Sequence, residues 1–274
     1  MIPYLEIESE SIEQRVSPQT IEKDYHLDWY LAALWSLDLF PKFFFYGGTA
    51  IKKLYIPSHR FSEDIDLISE ARLDPETIGK ALERAHKFLE KEANLFYSYR
   101  PEETQIVGTQ TRFLIHYRGF SEIGGIKRFL LDFAQGIEEL PQPVSKKLLT
   151  SYMDLKNKKI KIQALPLEII CAEKLALIVD RRRKEPRDIY DLWSVFTQAV
   201  GLNRSVFMAR FEKTLSYRID FSIIQSSLRD FDFKSAWETR LRHQVPNLPH
   251  FDEVVAELIA KLSAFWKKNE SRRE

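Results

Sequence analysis

Apolar residues recur with different periods along this chain, and the period changes from one stretch to the next. Between residues 18 and 37, Ile21, Tyr25, Trp29, Ala32 and Ala33 fall three or four positions apart, which predicts a long amphipathic helix opened by Ser17 and Pro18. The aromatic run 43–46 predicts a short buried strand, followed by a helix over about 49–54, a loop containing Pro57 and Ser58, and a strand over 64–69. Asp74 and Pro75 start another helix, reaching to about residue 92. Residues 111–118 and 127–135 alternate as strands joined across Gly124 and Gly125, and 158–165 predicts a last strand. After Pro166 the period is helical to the C-terminus. The expectation is an α+β fold: a mixed sheet with helices over residues 1–160, then a mainly helical half over 161–274 packed against it. No internal repeat or flexible tether separates the halves, so the cleft between them is the expected site.

Composition changes this picture little. The 274 residues are 44% apolar and carry 41 basic against 40 acidic side chains, a net charge of +1, so bulk charge does not announce a nucleic-acid binder. Arg181, Arg182, Arg183 and Lys184 form one local basic run, either a solvated helix end or a hold on an RNA backbone. The single cysteine, Cys171, excludes an intramolecular disulfide and fits a reducing cytoplasm. No secretory leader or membrane-length apolar run is apparent, so a cytoplasmic protein with no membrane partner is expected. The six histidines lack zinc-ligand spacing, and the tryptophans suit packing.

Chemistry concentrates in three places. Asp64 and Asp66 are two apart on a predicted strand and project from one face, where their mutual repulsion is relieved by a hard cation such as magnesium or manganese, or by solvent alone. Just before them, Gly47, Gly48 and Thr49 make a strand-to-helix turn whose N–H groups, helix dipole and hydroxyl suit a phosphate. Asp132 stands on a later strand with Arg128 and Leu130, opposite in face to Phe129, Leu131 and Phe133; it is a third cation ligand or the partner of Arg128 or Arg112 on an edge strand. Lys174 lies among Ile170, Cys171, Leu177 and Ile178 on an apolar stripe, where it must snorkel out or meet an acceptor. Asp188 and Asp191, three apart after Pro186, share a helix face.

The Gly-Gly-Thr turn, then Arg60, Ser62 and "EDIDL", then an aspartate on a later strand, resembles the catalytic signature of the polymerase-beta-type nucleotidyltransferase superfamily. More narrowly, "GGTAIKKLY", "HRFSEDIDL" and "EIICAEKLALIVDRRRKEPRDIYDLW", with "IEKDYHLDWYLAAL" as a leading helix, resemble the AbiEii/AbiGii toxin family, over most of residues 18–195. That resemblance implies a polymerase-beta-like sheet and transfer of a nucleotide from an NTP. It implies Asp64, Asp66 and Asp132 around two Mg²⁺ or Mn²⁺ ions, with Asp132 also helping to deprotonate the nucleophile. Gly47, Gly48, Thr49, Arg60 and Ser62 would hold the nucleotide, and Lys174 would contact its phosphates. The fourth acidic motif falls on Asp188 or Asp191, with Asp188 preferred. Relatives act as toxins of toxin–antitoxin or phage-defence pairs, some with tRNA 3′ ends as acceptors, so an RNA acceptor and an antitoxin partner are expected. Transfer to a small molecule such as an antibiotic, or a non-catalytic nucleotide- or RNA-binding module, are the alternatives.

Overall fold

Ser17 ends its stretch of extended chain by accepting a hydrogen bond from the Thr20 N–H at 3.1 Å, and Asp74 does the same for Thr77 at 2.8 Å, so both predicted helix starts are capped. The computed structural model that shows this describes residues 1–120, 126–180, 184–198 and 200–267. The predicted Gly124–Gly125 connection therefore lies outside the described residues. The contacts divide the chain into two units, Met1–Leu165 and Pro166–Glu274.

The first unit runs α1 (Tyr4–Gln14), α2 (Pro18–Ser36), β1 (Phe44–Tyr46), α3 (Gly47–Leu54), β2 (Asp64–Ile68), α4 (Pro75–Ala93), β3 (Tyr97–Tyr99), β4 (Gln105–Val107), β5 (Gln110–Arg118), β6 (Ile126–Ala134), β7 (Val144–Lys147), α5 (Met153–Lys156) and β8 (Lys161–Ala164). Its sheet has the order β3-β5-β6-β2-β1-β8-β7, with β4 added beside β5. β2 lies parallel to β6 and β1 parallel to β8; the other pairs are antiparallel, so the sheet is mixed as expected. Along β6 the residues Phe129, Leu131 and Phe133 are buried while Leu130 and Asp132 are half-buried, the alternation that period two dictates.

One expectation changes here. From Ile21 to Leu34 only Lys23 escapes burial, so α2 is enclosed on all sides by α1, α4 and β8 and does not present a wet face. Enclosure strands two carboxylates, Asp24 and Asp28, in the interior, where an unpaired charge is very costly. Lys53, near the end of α3, meets them: its Nζ lies 2.7 Å from Asp24 Oδ1 and 2.5 Å from Asp28 Oδ1. Burial alone would lower the Lys53 pKa, but the two aspartates outweigh it and hold the ammonium above its ordinary value. Burial pushes Asp28 up to about 6 in spite of Lys53. This ion triad ties α2 to α3 and so fixes the helix that begins at the glycine pair.

The second unit is helical: α6 (Leu167–Val179), α7 (Pro186–Thr197), α8 (Arg204–Leu215), α9 (Phe221–Leu228), α10 (Phe231–Leu241) and α11 (Phe251–Lys267). α6 is apolar on nearly every face and packs against α7, α8 and α9, which makes it the core of this unit. No described helix is long and apolar enough to cross a membrane.

Candidate active site

The sheet register sets the site. Arg112 faces Asp132 across β5 and β6, Asp132 pairs with Asp66 across β6 and β2, and Asp66 pairs with Tyr46 across β2 and β1. Four strands thus contribute one row, Arg112–Asp132–Asp66–Tyr46, with Asp64 two residues along from Asp66 on the same face. The chain turns into α3 directly after Tyr46, so the first turn of that helix stands at the end of the row.

Gly47 shows why glycine is needed there. Its φ is +82°, in the left-handed region, and a Cβ placed on it would come within 2.4 Å of Asp66 Oδ2. The backbone at Gly47 thus passes close to the protein's own Asp66 carboxylate. Gly48 follows half-buried in the helix. Thr49 is buried, and its hydroxyl donates to the main-chain carbonyl of Asp64 at 2.6 Å. That bond joins α3 to β2. Arg60 is buried, with Nη1 donating to the Phe61 carbonyl at 3.3 Å. Ser62 is also buried, and its Oγ has no hydrogen-bond partner among the described residues. A hydroxyl left in that state costs about 1–3 kcal/mol, which a bound ligand's polar atom can recover.

Asp132 is engaged by Arg112, one of the two partners the sequence offered for it. Arg112 Nε donates to its Oδ1 and Nη2 to its Oδ2, both at 2.7 Å, the bidentate geometry of a strong charge-assisted pair. Those bonds raise the Arg112 pKa, and the neighbouring charges of Asp64 and Asp66 add to the effect. The Arg112 reading of Asp132 is thus realised, but on a strand inside the sheet and not on an edge. Among the described residues no three His, Cys, Asp or Glu side chains are placed to hold one ion together. The donor set nevertheless suits magnesium: that ion is commonly held by one or two carboxylates plus substrate phosphate oxygens and water, and Asp64 with Asp66 supply two on one face.

The other predicted residues belong to the second unit. Lys174 is buried and neither snorkels nor stands open: its Nζ lies 2.5 Å from Asp188 Oδ1 and 2.9 Å from Asp191 Oδ2. α6 supplies the lysine and α7 both carboxylates, so the acceptor demanded by the apolar stripe is this pair, and the choice between Asp188 and Asp191 becomes a shared role. Nearby, burial pushes the Cys171 thiol far up, which makes it inert. Of the basic run, Arg181, Arg182 and Arg183 lie outside the described residues. Lys184 pairs with Asp232, and with Asp230 at 3.3 Å, at the start of α10. Its ammonium is thus shared with two carboxylates of the same unit.

No curated protein matches this chain. Its fold is similar to that of MenT4, a nucleotidyltransferase toxin from Mycobacterium tuberculosis H37Rv, with a TM-score of 0.64 at 16% identity, over 100% of this chain and 93% of that one. An antigenic nucleotidyltransferase-like protein from Paracoccidioides brasiliensis gives a TM-score of 0.37 at 17% identity, over 72% of this chain and 92% of that one, a likeness too loose to inform the fold. The family model described as nucleotidyl transferase AbiEii toxin, type IV toxin–antitoxin system, matches residues 29–257, and so reaches past the motifs into the segment after residue 200 where the sequence offered none. On that match the chain belongs to the AbiEii family of nucleotidyltransferase toxins.

Proposed function

We propose that this nucleotidyltransferase moves a nucleotide from an NTP to an RNA acceptor, the 3′ end of a tRNA, using Asp64 and Asp66 to hold the magnesium or manganese ion that accompanies the triphosphate. The observation that carries this reading is the placement of both carboxylates on one face of β2, against the first turn of α3. Backbone N–H groups in that turn, at the positive end of the helix dipole, bind phosphate oxygens, and the Ser62 hydroxyl supplies one further hydrogen bond. The metal, when bound, neutralises charge on the triphosphate and favours departure of pyrophosphate. Asp132, beside Asp66, takes the proton of the acceptor hydroxyl. The RNA acceptor rests on the family resemblance, since Lys184 is already paired; the type IV toxin–antitoxin description supports a cognate antitoxin.

The test is incubation of the protein with each labelled NTP, Mg²⁺ and total tRNA, with Asp66→Asn in parallel. Label on tRNA that disappears in the variant, with its circular dichroism unchanged, supports the reading. Label on a small molecule in place of RNA would overturn the acceptor, and full activity of Asp66→Asn would overturn the metal site.

A further inference from the structure

We infer that Arg112 gates this site: it holds Asp132 out of service until a triphosphate arrives, then exchanges the carboxylate for phosphate. The inference deepens the metal reading given above and rests on it. Its basis is positional. Arg112 and Asp132 are direct cross-strand partners, and the next position in the row is Asp66. With both Asp132 oxygens bound by the fork at 2.7 Å, half of the carboxylate's lone pairs and much of its negative charge are already engaged, which weakens it as a ligand to a cation shared with Asp66.

The exchange is feasible because the two partners differ in exposure. The Arg112 side chain is 46% exposed while that of Asp132 is 14% exposed, so the arginine can swing outward while the carboxylate stays on the sheet. The exposed guanidinium is readily rehydrated when it leaves, which offsets part of the cost of breaking the bidentate pair. Phosphate presents the same planar spacing of acceptor oxygens as carboxylate, so the guanidinium can re-form two bonds on a triphosphate. Arg112 also answers a charge problem: Asp64, Asp66 and Asp132 together would repel an incoming triphosphate, and one cation on the row lowers that barrier.

The experiment measures Mn²⁺ binding by electron paramagnetic resonance for the wild type, Arg112→Gln, Arg112→Lys and Asp66→Asn, with and without a non-hydrolysable NTP analogue. Without nucleotide, Arg112→Gln should bind Mn²⁺ about fivefold more tightly than the wild type, the factor released by breaking an exposed ion pair, with Arg112→Lys in between. With the analogue that gap should close, and the analogue itself should bind Arg112→Gln less tightly. Equal or weaker Mn²⁺ binding by Arg112→Gln without nucleotide, with Asp66→Asn still abolishing binding, overturns the gate and leaves the metal site standing. Mn²⁺ binding that survives Asp66→Asn, or that the wild type lacks even with the analogue, overturns both. Arg112→Lys keeps the charge and serves as the folded control should Arg112→Gln unfold.

Discussion

Replacing Lys174 by methionine keeps the length and bulk of the side chain but removes the ammonium that lies between Asp188 and Asp191. Those carboxylates are 1% and 0% exposed and sit 2.5 and 2.9 Å from the ammonium. Taking one partner out of a buried ion cluster typically costs about 3–5 kcal/mol, because the charges that stay behind remain desolvated and lose that partner's attraction. At about 2–4 °C per kcal/mol for a chain of this size, Lys174→Met should lower the melting temperature by roughly 6–20 °C. Thermal unfolding followed by circular dichroism reads this directly, and urea melts give the free energy. The cause is checked with the triple variant Lys174→Met, Asp188→Asn, Asp191→Asn, in which the two buried carboxylates lose their charge together with the lysine and most of the loss should be recovered. A single variant melting within about 2 °C of the wild type would refute the reasoning, since that corresponds to about 1 kcal/mol or less.

Gly47→Ala should cost about 1–2 kcal/mol for the left-handed backbone alone, and nucleotide transfer should fall about 100-fold as Asp66 is displaced; unchanged turnover would show that the Asp66 position is not critical. Thr49→Val should lower stability by about 1 kcal/mol while leaving NTP affinity intact, because its hydroxyl serves the Asp64 carbonyl; a tenfold loss of affinity, about 1.4 kcal/mol, would return it to the phosphate. Burial lifts Asp28 from 3.8 to about 6, so the folded protein keeps a proton that the unfolded chain has released. Its contribution to stability is complete below about pH 4 and is lost as the pH rises through 6, so the stability of Asp28→Asn relative to the wild type should climb over that window and then level off. Urea melts at half-unit pH steps that show the difference falling would contradict this sign.

What could be read from the sequence was what neighbours in the chain determine. Ser17 with Pro18 and Asp74 with Pro75 mark helix starts by local chemistry alone, and alternation in β5 and β6 assigns faces without knowledge of the partner strands. Asp64 and Asp66 share a face for the same reason. The short strands β3, β4 and β7 were not legible, because three or four half-buried or exposed residues carry no period and gain their form from the strand beside them. α1 was missed likewise: only Ile7 and Ser11 are buried along it. In the site, the placement of Asp132 beside Asp66 depends on the parallel pairing of β2 with β6, and the reach of Arg112 depends on the β5–β6 register; neither is a local property. Lys174 signalled a buried acceptor by its apolar neighbours, but the packing of α6 on α7 was needed to show both carboxylates.

The parallel seam between β2 and β6 also bears on when the enzyme can first act during its own synthesis. A ribosome emitting about 5–20 residues per second delivers Asp64 and Asp66 several seconds before the strand that carries Asp132. Until β6 arrives and docks, the nascent chain carries Asp64 and Asp66 and lacks the strand that sets Asp132 between Asp66 and Arg112. Fragments that terminate before residue 126, from a stalled ribosome or a broken message, carry the most recognisable motif of the family without the strand that pairs with it in the sheet.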